Sequence, residues 1–265
     1  MPRGAAADQS IDTTMAETNG GCSAGVVELA GACISAVIVE FTMTEQEWLS
    51  CSKLSTALEF LRNKISQRKL RLFAVACCRY LGGAMMNEPQ CRNAVEMAEQ
   101  YADGDVSLET LRAVSLDDSK ANPGFRKLDI ETARYVIEPD AFEAALKGAE
   151  SSRELGDEVD ASDLDSRHPQ WINCVNERIK RQELLLRDIV GNPFRSSLFE
   201  PQWFNPKLVE LAFDIYKDRR FNRLPYLADV LEKTGCDNSI ILNHCRDNNP
   251  HARGCWVVDK ILCKK

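Results

Sequence analysis

The densest set of chemically capable side chains falls in the last thirty residues of the sequence. Cys236, His244, Cys245, His251, Cys255 and Cys263 follow the spacing Cys-x7-His-Cys-x5-His-x3-Cys, and two of the three histidines lie inside it. Zinc needs about four Cys or His donors converging at about 2.0–2.3 Å in a tetrahedron, which makes Cys236, His244, His251 and Cys255 the candidate metal ligands. A thiol enzyme would use the same residues differently. Cys255 would be the nucleophile, His251 or His244 its base, and Asp259 or Asp237 the group that orients the base. A helix beginning near Cys255 would lower the thiol pKa, as that chemistry requires.

Neither chemistry carries its usual signature. There is no Cys-x2-Cys knuckle and no thiol-enzyme phrase around Cys255, whose neighbours Trp256, Val257 and Val258 read as core. Cysteine also occupies apolar helical positions elsewhere, as at Cys77, Cys78 and Cys91. The expectation is therefore that the C-terminal thiols pack as small apolar groups and that no cofactor is bound, with zinc as the rival reading. No Gly-rich phosphate loop, dinucleotide fingerprint, Gly-x-Ser-x-Gly elbow or His-Glu-x-x-His occurs, which removes several common enzyme classes.

The elements that must position these residues read as helices. Met43–Leu49 places Glu45 and Glu47 in a first helical turn, where the helix dipole favours them. Ser66 is placed to cap a helix over 67–81 that is apolar on all sides and so belongs at the centre. Further helices are expected over 89–102, from 107, from 139, and over 171–190. Residues 128–137 are ambiguous. Asn205 should cap a helix from Pro206, 224–234 should form the next, and Asp237 or Ser239 should cap 240–245. The loop 246–253 then leads into 255–262. Residues 1–24 are small, polar and aperiodic, and 26–41 fits either a strand or a short helix.

The predicted fold class is thus all-α and multi-helical. A disordered or peripheral extension (1–42) precedes an N-terminal helical subdomain (43–150). An acidic linker (151–170) joins this to a C-terminal helical subdomain (171–265). Only 7% of residues are aromatic, and 14 Gly with 10 Pro give too little punctuation for a turn-rich β architecture.

Charge and cysteine narrow the partners. The net charge is −7. It is uneven: residues 60–87 carry six bases and no acid, whereas 103–165 carry 17 acids against seven bases. A basic run beside an acidic one suggests internal complementarity, and a nucleic-acid partner is not expected. The 11 cysteines come without an N-terminal leader pattern, which points to reduced thiols in the cytoplasm. The apolar run 24–41 is broken by Glu28 and Glu40, so no membrane span is expected.

The phrases MTEQEWLSCSKLSTALEFLRNKISQRKLRLFAVACCRYL (43–81), Asn192-Pro-Phe-Arg195, Arg223-Leu-Pro225, Leu227-Ala-Asp229 and His251-Ala-Arg-Gly-Cys-Trp256 resemble an uncharacterised, much-duplicated family of planctomycete proteins. The resemblance spans roughly residues 43–265 and implies no activity, so no functional residue carries over. The function expected from the sequence is a non-enzymatic interaction or regulatory role, with another protein as partner. Its alternatives are an enzyme using the C-terminal Cys/His group and a zinc-stabilised structural module.

Overall fold

The computed structural model describes residues 24–25, 40–83, 85–120, 127–153, 169–195 and 199–265. Twelve α-helices make up the described fold. The extended backbone among those residues is one short antiparallel pair, Ala24–Gly25 (β1) with Glu40–Phe41 (β2). The all-α expectation holds. The chain divides into two compact units, Met1–Met43 and Thr44–Lys265. Most of the expected extension 1–42, and residues 154–168 of the expected acidic linker, lie outside the described residues. The helices of 43–150 and of 171–265 both belong to the second unit.

The helix ends follow from capping chemistry. In α1 (Glu45–Ser50), the Thr44 hydroxyl accepts from the Glu47 amide at 3.2 Å, and the Glu47 carboxylate takes the Thr44 N–H at 2.7 Å. This reciprocal pairing satisfies two otherwise orphaned donors. After α2 (Leu54–Leu61), Ser66 caps α3 (Gln67–Leu81), and α4 (Pro89–Asp103) stops at Gly104 in the left-handed region. Then come α5 (Leu108–Arg112), α6 (Lys127–Val136) and α7 (Ala141–Ser152), followed by α8 (Pro169–Val190). Next are α9 (Pro206–Asp218), α10 (Leu224–Lys233), α11 (Ser239–Arg246) and α12 (Trp256–Ile261).

Two details differ from the sequence reading. The ambiguous stretch 128–137 is helical (α6), because Ile130, Ala133 and Val136 share a face buried in the core around α3 and α4. Asn238, not Asp237 or Ser239, caps α11. Its Oδ1 accepts from the Ile240 and Ile241 amides at 3.1 and 3.4 Å, from a residue still in extended conformation.

Helix α3 is the axis of the fold. Leu70 through Cys78 are all buried, and α4, α6, α7 and α8 pack around them. Burying each large side chain here stabilises the fold by about 1.5–3 kcal/mol. One apolar cluster joins α3, α4, α6 and α7, and a second joins α9 to α12.

Close backbone approach seats the C-terminal helices. Gly254 has φ +94°, and a Cβ there would lie 3.1 Å from Leu72 Cδ1 and 3.4 Å from Ile189 Cγ2. Only glycine lets the chain press against α3 and α8 at that point. Gly191, at φ +71°, does the same under the Trp256 ring, with a Cβ position 3.1 Å from its Cγ. Lys69 reinforces this seam by donating to the carbonyls of Ile189 and Gly254.

The basic run on α3 is spent on buried pairing. Arg68 reaches Asp259 at 2.8 Å and Asp103 at 3.1 Å, and the Tyr216 hydroxyl donates to Asp103 at 2.6 Å. Arg71 lies almost wholly buried and donates to the Val136, Glu138 and Pro139 carbonyls at the end of α6, where the helix dipole favours a cation. Arg79 and Arg219 converge on buried Glu99.

Burial alone would raise the Asp103 carboxyl. The Tyr216 hydrogen bond and the Arg68 and Lys264 charges outweigh it and hold the group below its unperturbed value. A carboxyl depressed on folding adds stability above its unfolded pKa and loses that contribution as pH falls through its folded pKa. Asp103→Asn should therefore cost about 3 kcal/mol at pH 7, as for one partner of a buried pair. The difference from the parent should shrink as pH falls below 3.8, read from denaturant unfolding across pH. A constant difference across that range would contradict the pairing.

Candidate metal centre

Three of the four expected metal ligands come together, joined by a residue from another helix. Asp188, His244, His251 and Cys255 each offer one donor atom, and these atoms lie within 4.8 Å of one another. His251 Nδ1 is 2.7 Å from Asp188 Oδ1. His244 Nε2 is 3.3 Å from the same oxygen and 3.2 Å from Cys255 Sγ. Cys236 stands apart from this group. It follows Gly235, after α10, and is buried in the apolar cluster of α9 to α12, as are Cys245 and Cys255 itself, so the expected apolar packing of these thiols is seen as well.

Each donor is placed by its element. Asp188 sits in the last turn of α8, beside buried Leu185 and Ile189. His244 occupies the last turn of α11. The chain then turns at Asp247, whose Oδ1 accepts the Asn249 amide at 2.9 Å. His251 follows, its backbone carbonyl accepting from the Tyr80 hydroxyl of α3. The Ala252 amide donates to Asp188 Oδ2 at 2.9 Å, and the Cys255 amide donates to Ala252 O at 3.0 Å. Gly254 closes this turn against α3, leaving Cys255 as the residue that begins α12.

Burial sets the electrostatics. Asp188 is 3% exposed, His251 7% and Cys255 0%. Desolvation would raise the Asp188 carboxyl, but hydrogen bonds from both histidines and their charges hold it below its ordinary value. Desolvation pulls His251 down, and the Asp188 hydrogen bond and charge more than reverse this. Burial, aided by the Asp188 charge, pushes the Cys255 thiol far above its ordinary range. That is the opposite of what a thiolate nucleophile needs, and a metal bound here would have to displace the thiol proton. Trp256 closes one side, its ring 5.1 Å from that of His244.

The set suits a borderline divalent ion such as zinc. Bonds of about 2.0–2.3 Å place tetrahedral donors about 3.3–3.8 Å apart. The separations here, from 2.7 Å upward and all within 4.8 Å, bracket that range. One carboxylate, one thiolate and two neutral imidazoles cancel the charge of a divalent ion, so the filled centre is neutral in a setting where net charge is costly.

Sequence reasoning missed Asp188 because it lies 56 residues before the nearest partner and carries no motif. The available signal was its position: an acid flanked by Leu185, Leu186 and Ile189 on the inward side of a long amphipathic helix. No family model, curated protein or solved structure matches this chain. Among the described residues, no helix is long and apolar enough to cross a membrane.

All nine cysteines among the described residues are free thiols, and of these Cys263 is exposed while Cys255 is buried. Brief alkylation of the folded protein, read by peptide mass spectrometry, should modify Cys263 first and Cys255 only on unfolding. Equal labelling rates would mean that Cys255 is open to solvent.

Proposed function

We propose that this chain is a non-catalytic helical scaffold whose C-terminal third is fastened by a zinc-class divalent ion on Asp188, His244, His251 and Cys255. The observation that carries the reading is the convergence of four donors from three separate elements within 4.8 Å. Four protein ligands complete a tetrahedron and leave no position for substrate, which suits a structural centre. The ion would join the end of α8 to α11 and to the start of α12.

The thiol-enzyme alternative has less support. A Cys–His–Asp relay needs the acid on the imidazole nitrogen remote from sulfur. Here His244 turns the same atom, Nε2, toward both Cys255 and Asp188. For the scaffold's work, binding another protein is the reading we adopt. It is supported by Val209 and Phe213, four residues apart on α9 and 38% and 52% exposed, the spacing a helical docking face presents.

Protein from zinc-supplemented medium should carry about one zinc per chain. Chelation should lower its melting temperature and remove several kcal/mol of stability, reversibly on zinc addition. Asp188→Asn, His244→Ala and Cys255→Ser should each lose the metal, whereas Cys236→Ser should keep it. Zinc well below one per chain, with a chelator-insensitive melt, would overturn the proposal.

A further inference from the structure

One buried polar atom of the centre is left without a hydrogen-bond partner: His251 Nε2. A buried polar atom without a partner is costly, and its surroundings explain it. Across the ring, Nδ1 lies 2.7 Å from Asp188 Oδ1, within reach to donate a proton to that carboxylate. On the other side, Asp247 Oδ1 lies 3.3 Å from Nε2, a longer contact than the one on Nδ1.

Resting on the reading of the four donors as a metal centre, we infer that Asp247 is its outer positioning residue. Its carboxylate accepts a hydrogen bond from Nε2–H of His251 and thereby leaves Nδ1 for the metal. When an ion takes Nδ1, the proton there is displaced to solvent, the neutral ring carries its single proton on Nε2, and the 3.3 Å contact tightens into a hydrogen bond. Asp188 Oδ1, released from Nδ1–H, turns to the ion, while Oδ2 stays on the Ala252 amide. A ligating histidine whose far N–H is held by a carboxylate is oriented and made a better donor.

The placement of Asp247 suits this task. Its backbone N–H donates to Asn243 O at 2.9 Å, which fixes it to the end of α11, the helix that carries His244. Its Oδ1 also accepts the Asn249 amide, which aims the carboxylate back toward the ring. Both histidines are thereby referred to one rigid helix end. The ring of His244 closes a further side, edge to face with His251 at 5.0 Å.

A purely structural role would be to shape the turn through Asn249, and Asp247→Asn separates the two. The amide oxygen still accepts from Asn249, so the turn survives, but the negative charge facing Nε2 is gone. In the full chain, competition titration with zinc should show affinity falling about tenfold to a hundredfold, while the metal-free melting temperature stays unchanged. Ring nitrogen shifts of His251 in the zinc-loaded parent should show Nδ1 metal-bound and Nε2 protonated. Zinc binding by Asp247→Asn within twofold of the parent would overturn the role of Asp247 and leave the centre standing, as would ring shifts that put the metal on Nε2. A parent chain that takes up no zinc would overturn both.

Discussion

A carboxylate enclosed by apolar helices stays ionised only if other groups replace the water it has lost, at an uncompensated cost of several kcal/mol. Asp188 is in that position at the end of α8, and it draws a histidine from α11, a histidine from the following loop and the Ala252 amide onto its two oxygens. Those contacts tie the end of α8 to α11 and to the loop that leads into α12. A divalent ion at this point would complete the same logic, turning a set of mutually compensating polar groups into ligands of one neutral centre.

A second buried electrostatic system links α3 to the C-terminal helices. Arg68 on α3 binds Asp103 at the end of α4 and Asp259 on α12, while Tyr216 of α9 joins Asp103. Two consecutive helices and two from far along the chain are thus registered by charge-assisted bonds, which are directional where apolar packing is not. The apolar clusters supply most of the burial, and the two polar systems fix how α9 to α12 sit on α3. The basic run on α3 therefore has an internal explanation, as its neighbouring acidic stretch suggested, although the partners include Glu99 and Asp259 from outside that stretch.

Much of the helical layout was legible in the sequence because it is governed by local rules. Ser66, Asn205 and Gly104 mark helix ends by capping and left-handed chemistry that acts over four residues. The all-round apolar character of 70–78 foretold an enclosed helix. The candidate site was half legible. His244, His251 and Cys255 come together because a short loop and a helix start place them there, and sequence spacing conveys that. Asp188 depends on how α8 packs against α11, a long-range relation that spacing does not encode. Cys236 has the right chemistry and sits nearby in sequence, but its place after Gly235 keeps it out of the group of four donors.

The central claim concerns which residues would hold an ion, so the most direct measurement is X-ray absorption at the zinc edge of the purified chain. The account predicts a four-coordinate shell of one sulfur at about 2.3 Å and three nitrogen or oxygen atoms at about 2.0–2.1 Å. A shell with no sulfur, or with two or more, would contradict the assignment of Asp188, His244, His251 and Cys255 as the ligands.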